Sequence, residues 1–190
     1  MKLIGSKPSP YVRRLRLWLE GVDYEFVDLD IYSQPGRDVL ETYNPAMKVP
    51  MLLDGEQPVY DSRVIFRYLS EKLGRPRLSW AQENQLSLVD AAIDSLIVRL
   101  MASRSGMDPA DDCLIFNLQR DRLDRTLPLL NQMVAAGEFA QWEYPAICLF
   151  TLLDWAAFRN LLELDTYPAL KAFHAQQQNR DIVQSTDPRA

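Results

Sequence analysis

An α/β domain followed by an all-α helical bundle is the fold class that this sequence predicts, and three observations predict it. Short apolar runs of strand length alternate with helical stripes between Lys2 and Gly74. Two of those runs meet at Asp54-Gly55, a dipeptide that favours a hairpin because glycine accepts the positive φ of a tight turn. From Trp80 onward strand signals vanish and only helical spacing remains. The expected domains are residues 1–74 and 80–190, with Arg75-Pro76-Arg77-Leu78-Ser79 as the linker.

In order, Lys2-Leu3-Ile4 reads as a strand ended by Gly5-Ser6. Ser9-Pro10 then opens a helix carrying Val12, Leu15, Leu17, Trp18 and Leu19, because proline at the first helical position lacks only an N–H that would be unsatisfied there. Gly21 ends it. Tyr24 to Leu29 alternates apolar and polar residues, the period of a strand with one buried face. A short helix is expected over 34–43. Val49-Pro50, the Met51–Leu53 run and a second run reaching Tyr60 give two antiparallel strands, and Asp61-Ser62 opens a helix over Val64, Ile65, Tyr68 and Leu69 that stops at Gly74. The order strand, helix, strand, helix, strand, strand, helix places β-α units around a small mixed sheet.

In the second part, Leu86, Val89, Ile93, Leu96, Ile97 and Leu100 form one helical stripe. Leu114 to Val134 forms another, with Pro128 expected to bend it. Ala146 to Phe158 is apolar on nearly every face, which places it at the centre of a bundle. Tyr167 to Gln177 reads as a last amphipathic helix.

Composition narrows the function. The 190 residues are 47% hydrophobic and 25% charged, with a net charge of −5. Residues 1–76 balance their charges, so the acidic surplus lies in 77–190. Neither part has the basic excess that a phosphate backbone requires, which argues against nucleic acid as a partner. The N-terminus lacks the apolar run of a signal peptide and no stretch reaches the length of a membrane span, so no membrane association and a cytoplasmic location are expected. Cys113, Cys148 and the single His174 provide neither a zinc set nor a disulfide framework; no metal is expected.

The stretch Asn44 to Gly74 carries the chemistry. A strand pair delivers Asp61-Ser62 to the start of a helix, where unpaired N–H groups and the positive end of the dipole suit a small anion or zwitterion. The plainer reading is a simple helix cap.

These marks together resemble the cytosolic glutathione S-transferases over essentially the whole chain: Ser9-Pro10-Tyr11-Val12-Arg13, Asn44-Pro45 leading to Lys48-Val49-Pro50, and Asp61-Ser62 opening a helix. The pattern is most similar to small bacterial, serine-type members. The resemblance implies a thioredoxin-like first domain, glutathione as cosubstrate, a small-molecule electrophile bound between the domains, and a homodimer. Under it, Asp61 faces the ammonium and Ser62 the carboxylate of the γ-glutamyl end. A cis Val49-Pro50 bond exposes the Val49 backbone for strand-like pairing with the tripeptide; the plainer alternative is a trans proline at a strand start. Ser9 donates to the sulfur and favours the thiolate, or else only caps its helix, with Ser6 as a second candidate. Glutaredoxins, which share the first domain's fold, carry Cys-Pro-Tyr-Cys where this chain has Ser9-Pro10-Tyr11-Val12, so dithiol chemistry is not expected.

Other residues read as structural. His174 is expected at the surface, Cys148 as inert core, Asp154 as an internal hydrogen-bonding group, and Arg13, Arg14 and Arg16 as a solvated helix face. Three departures stand out, one of them a short linker and a short segment around Gln141, which leave the electrophile site undefined. Met47 replaces the glycine that many relatives have before Lys-Val-Pro, which narrows the approach to the glutathione site. The Ser/Thr-x-x-Asp capping box expected of the sixth helix is absent from Trp142-Glu143-Tyr144-Pro145-Ala146-Ile147. Two functions fit: a glutathione transferase, or a non-catalytic binding or regulatory protein of the same fold, like the stringent-starvation proteins.

Overall fold

In the computed structural model, which describes residues 1–189, strand β1 (Lys2–Gly5) is followed by α1 (Pro10–Trp18), β2 (Glu25–Asp28), α2 (Gln34–Tyr43), β3 (Met51–Asp54), β4 (Gln57–Val59) and α3 (Ser62–Lys72). The strands form one sheet in the order β2-β1-β3-β4, with β1 parallel to β2 and the other pairs antiparallel. This is the expected mixed sheet in the expected element order. Gly5 ends β1 where a Cβ would lie 2.4 Å from a Val12 methyl, so only glycine lets α1 approach the strand this closely. Leu3, Val12, Leu15, Met51, Leu52, Ile65 and Leu69 are fully buried and form the core of this unit. Burying each such side chain stabilises by roughly 1.5–3 kcal/mol.

The helical part contains α4 (Trp80–Arg104), α5 (Leu114–Ala135), α6 (Tyr144–Phe158), a single 3₁₀ turn (Leu164–Thr166) and α7 (Pro168–Gln177). Ser79 and Gln82 make a reciprocal capping box at the start of α4. Pro128 lies within α5 without ending it. Its missing N–H deprives the Asp124 carbonyl of a helical partner, and both residues are exposed, so water can serve that carbonyl. Helix α6 is buried from Tyr144 through Ala156, as its uniform apolarity predicts. Helix α7 has no cap of its own; the Asn131 side-chain oxygen on α5 accepts from the N–H groups of Ala169 (2.9 Å) and Leu170 (3.2 Å).

Two compact units result. One is Met1–Leu78 with the segment from Asp181 onward; the other is Ser79–Arg180. The sequence reading grouped that last segment with the helices. In the structure α8 (Asp181–Ser185) is held by α1: Arg13 Nη2 donates to the Val183 carbonyl at 2.9 Å and its Nε to the Thr186 hydroxyl at 3.4 Å.

The solvated arginine face is also overturned. Arg13 and Arg14 are each 3% exposed, and Arg16 lies over the Phe26 ring at 4.3 Å. His174 is another correction: it is buried, its Nε2 is 2.9 Å from Asp154 Oδ1, and its ring stacks on Phe150. Leu170, Phe173, His174 and Gln177 occupy one helical stripe, so His174 had to turn inward with the rest. Asp154 and Cys148 are buried as anticipated. No helix is long and apolar enough to cross a membrane.

Candidate functional site

The sheet register brings three segments to one end of the first unit. Ile4 pairs with Met51 and Leu52 with Val59. The chain after β1 (Ser6 to Ser9), the chain before β3 (Val49-Pro50) and the chain after β4 (Tyr60-Asp61-Ser62) therefore leave the sheet at the same edge. Residues far apart in sequence share this edge because β1 and β3 are antiparallel.

At the first segment, Ser9 caps α1: its Oγ accepts from the Val12 N–H at 3.4 Å, and its own N–H donates to the Ser6 carbonyl at 3.0 Å. Ser9 and Ser6 are both partly exposed. As an acceptor in the cap, Ser9 still has a hydroxyl proton to give.

At the second, the Val49-Pro50 bond is cis, as the resemblance led us to expect. Among the described residues no hydrogen bond engages the Val49 backbone N–H or carbonyl. The preceding loop is fixed by Asn44, 1% exposed, whose side chain donates to the Lys48 carbonyl at 2.7 Å and accepts from the Ala46 N–H at 3.0 Å. Met47 in that loop has φ +54°, a left-handed conformation that glycine adopts without cost and other residues adopt rarely. This is a backbone reason for glycine at the position, separate from the steric narrowing expected of the side chain.

At the third, Asp61 is the N-cap of α3 after a cis Tyr60-Asp61 bond. Its Oδ1 accepts from the Arg63 N–H at 2.9 Å and the Val64 N–H at 3.2 Å. Two first-turn donors are thereby committed to Asp61, and the exposed second carboxylate oxygen can face a cation. Ser62, next to it, combines a backbone N–H at the first helical position with a hydroxyl. Its Oγ accepts from Arg14 Nε at 3.1 Å and from Arg14 Nη2 at 2.5 Å. Sequence reasoning missed Arg14. The signal was there: Val12, Leu15, Leu17, Trp18 and Leu19 leave α1 almost no face to solvate, so an arginine among them must find a partner inside.

The far end of α3 is pinned to the hairpin. Asp54 on β3 accepts from the Tyr68 hydroxyl at 2.6 Å and from Lys72 Nζ. The Lys72 bond first, then Tyr68, holds the Asp54 carboxyl below the usual carboxylate range. The bond to Asp54 likewise raises Lys72 and Tyr68. Among the described residues no group of three His, Cys, Asp or Glu side chains is placed to hold a metal.

The arrangement offers a strand-like backbone edge, an anion-binding helix start with a carboxylate beside it, and a hydroxyl at a second helix start. These donors and acceptors match a peptide carrying an amino-acid head and a thiol.

Comparisons with known proteins agree on the fold. Residues 3–77 match the glutathione S-transferase N-terminal domain family. A probable glutathione S-transferase of Glycine max is 39% identical over 74 residues, covering 37% of this chain and 32% of that protein. A probable maleylacetoacetate isomerase of Caenorhabditis elegans is 31% identical over 130 residues, covering 67% of this chain and 52% of that protein. The matches thus span about a third and a half of these relatives' lengths. The crystal structure of a glutathione transferase family member from Pseudomonas fluorescens, solved with glutathione bound, aligns over 98% of both chains at 25% identity and a TM-score of 0.80. The thioredoxin-like sheet unit followed by an all-α part is the glutathione S-transferase fold.

Proposed function

We propose, for a chain that belongs to the glutathione S-transferase family, that it binds glutathione and transfers the thiolate to a small apolar electrophile. The observation that carries this reading is the meeting of Ser9, Val49 and Asp61-Ser62 at one edge of the sheet. Val49 would pair its backbone with the middle of the tripeptide as one more short strand. The Ser62 N–H and hydroxyl would take the γ-glutamyl carboxylate at the start of α3, and Asp61 the ammonium. Ser9 would donate to the sulfur. An ordinary thiol is mostly protonated at neutral pH, so a fixed donor beside a helix start favours the nucleophilic thiolate. Ser9 stands ahead of Ser6 because its side chain sits at the helix start itself. By family resemblance we extend the proposal to a cytoplasmic homodimer.

The competing reading is a non-catalytic glutathione-fold binding or regulatory protein. It draws support from Ser9, whose cap on α1 gives the serine a structural role that needs no thiol.

Retention on immobilised glutathione tests the binding half. The intact protein is expected to be retained and eluted by free glutathione, and Asp61→Ala to pass through. Failure of the intact protein to bind at millimolar glutathione would remove the enzyme reading altogether. Retention without turnover of any apolar electrophile would favour the regulatory one.

A further inference from the structure

We infer that the helical unit carries a ligand site of its own, a groove between the end of α5 and α7 that takes a small, uncharged apolar molecule bearing one carbonyl group. Every residue lining the groove lies within Ser79–Arg180, so it shares none with the proposed glutathione site and does not depend on that reading.

The groove holds about 310 Å³ and opens to solvent. That is roughly twice the 150 Å³ in which an apolar protein cavity takes up benzene, so one ring with a short substituent fits. Small side chains create the space. Ala169 and Ala172 lie one turn apart on α7, Ala140 follows α5, and none of them fills the gap. Phe139 and Phe173, both buried, give it an apolar backing. Its walls are fixed before any ligand arrives. Gly137, at φ +83°, ends α5 in a left-handed turn: its N–H donates to the Val134 carbonyl and the Glu138 N–H to the Met133 carbonyl, each at 3.0 Å. On the other wall Asn131 holds the first turn of α7 through the N–H groups of Ala169 and Leu170. Binding then requires little ordering of the protein.

One polar group in the wall is oriented. Gln177 is 7% exposed, and Arg180 Nε donates to its Oε1 at 2.6 Å. A guanidinium only donates, so the amide oxygen is committed to Arg180 and the amide nitrogen turns the other way. Arg180 is itself held over the Trp142 ring at 4.4 Å. Among the described residues nothing accepts from Gln177 Nε2, and that nitrogen still meets solvent. Its N–H groups are thus a directed donor in a mostly apolar wall. Gln176, beside it on the rim, is exposed and has no such anchor.

An apolar groove with a few well-placed polar groups is the general form of a small-molecule site. A hydrocarbon seated here would cover the Gln177 donor and leave it unsatisfied; a carbonyl oxygen would accept from it. Charge decides between a carbonyl and a carboxylate. Glu138 stands between Gly137 and Phe139 in the loop, and the acidic surplus of the chain lies in residues 77–190, so the uncharged group suits the groove better.

The test titrates acetophenone, and ethylbenzene as its counterpart without the carbonyl, into the full chain in the millimolar range. NMR follows the methyls of Ala140, Ala169 and Ala172 and the side-chain amide of Gln177. Acetophenone is expected to shift these signals; no shift at any of them overturns the inference. Ala172→Leu, at an exposed position, should fill the groove and abolish the binding of both probes, and binding that survives it overturns the location. The part of Gln177 is read from the ratio of the ethylbenzene to the acetophenone dissociation constant. Transfer of the probes from water is common to all variants, so it cancels when their ratios are compared. Gln177→Glu keeps an acceptor for Arg180 but removes the donor, and should lower the ratio about 3- to 10-fold. Gln176→Glu, which adds the same charge one residue away, should leave it in place. An unchanged ratio in Gln177→Glu overturns the donor role, and Gln177→Met reads the same quantity should that variant not fold. Benzoate binding more tightly than acetophenone overturns the uncharged class.

Discussion

The helix starts of the two units are built differently, and the difference separates residues available for chemistry from residues that hold the fold. In the sheet unit, α1, α2 and α3 each begin with a side-chain cap, from Ser9, Ser33 and Asp61. In the helical unit α4 has the Ser79–Gln82 capping box, but the three helices after it, α5, α6 and α7, begin without a side-chain cap, at Cys113, Glu143 and Tyr167. Proline near the start of α6 and α7, Asn131 reaching over from α5, and extensive apolar burial stand in for caps there. Glu143 accepts from Gln82 at 2.8 Å instead of capping its own helix. In the sheet unit two of the caps, Ser9 and Asp61, stand where the chain leaves the sheet. In the helical unit several buried polar groups are satisfied internally: Asp154 and His174 face each other, and the Thr126 and Thr151 hydroxyls donate to carbonyls of their own helices.

Mutations can sharpen or break this contrast. The largest expected effect on stability is in the helical unit. Asp154→Ala leaves the buried His174 without its carboxylate partner and should cost about 3 kcal/mol in denaturant unfolding. Glutathione affinity should be unchanged at temperatures where the variant is folded. Loss of retention there would break the division.

Next come the caps of the sheet unit. Ser9→Ala should cost about 1 kcal/mol of stability and lower the ultraviolet absorbance of bound thiolate at neutral pH. Asp61→Ala should cost a similar amount while abolishing retention on glutathione. An unchanged thiolate signal in Ser9→Ala would reduce Ser9 to a cap, the same kind of part as Ser33.

The smallest effect is that of pH on the pinned end of α3. Asp54 is held below its ordinary range, so its bond to Lys72 stabilises the fold at and above that range and is lost as the pH falls through and below it. Lys72 is raised, so its share persists up to the ordinary lysine range and fades above it. The stability difference between the intact protein and Lys72→Met should therefore be present at about pH 6 and shrink toward about pH 2.5. A difference constant over that interval would mean that the exposed pair contributes nothing, as many surface pairs do.

Local punctuation made the sheet unit legible. Ser9-Pro10, Asp54-Gly55 and Asp61-Ser62 each act within a few residues, so their meaning survives without knowledge of distant neighbours. Met47 is intermediate: its place in the motif identified a departure, but only the backbone dihedral showed that a left-handed conformation underlies it. What stayed hidden were long-range polar pairs. Periodicity says which residues share a face, yet Arg14 finds its partner 48 residues away, Arg13 at 170, and His174 at 20. Helix α8, five residues long, is too short to display a period at all.

The hold of Arg13 on Val183 and Thr186 gives the protein an unusual order of assembly. The sheet unit is discontinuous in sequence: its first 78 residues and the segment from Asp181 onward are separated by the whole helical unit. On a ribosome the sheet and its candidate site emerge first, yet the buried arginine of α1 waits for its carbonyl and hydroxyl until the helices have been made. In chain order the unit that begins first is finished last, and the segment from Asp181 onward acts as its closing clasp.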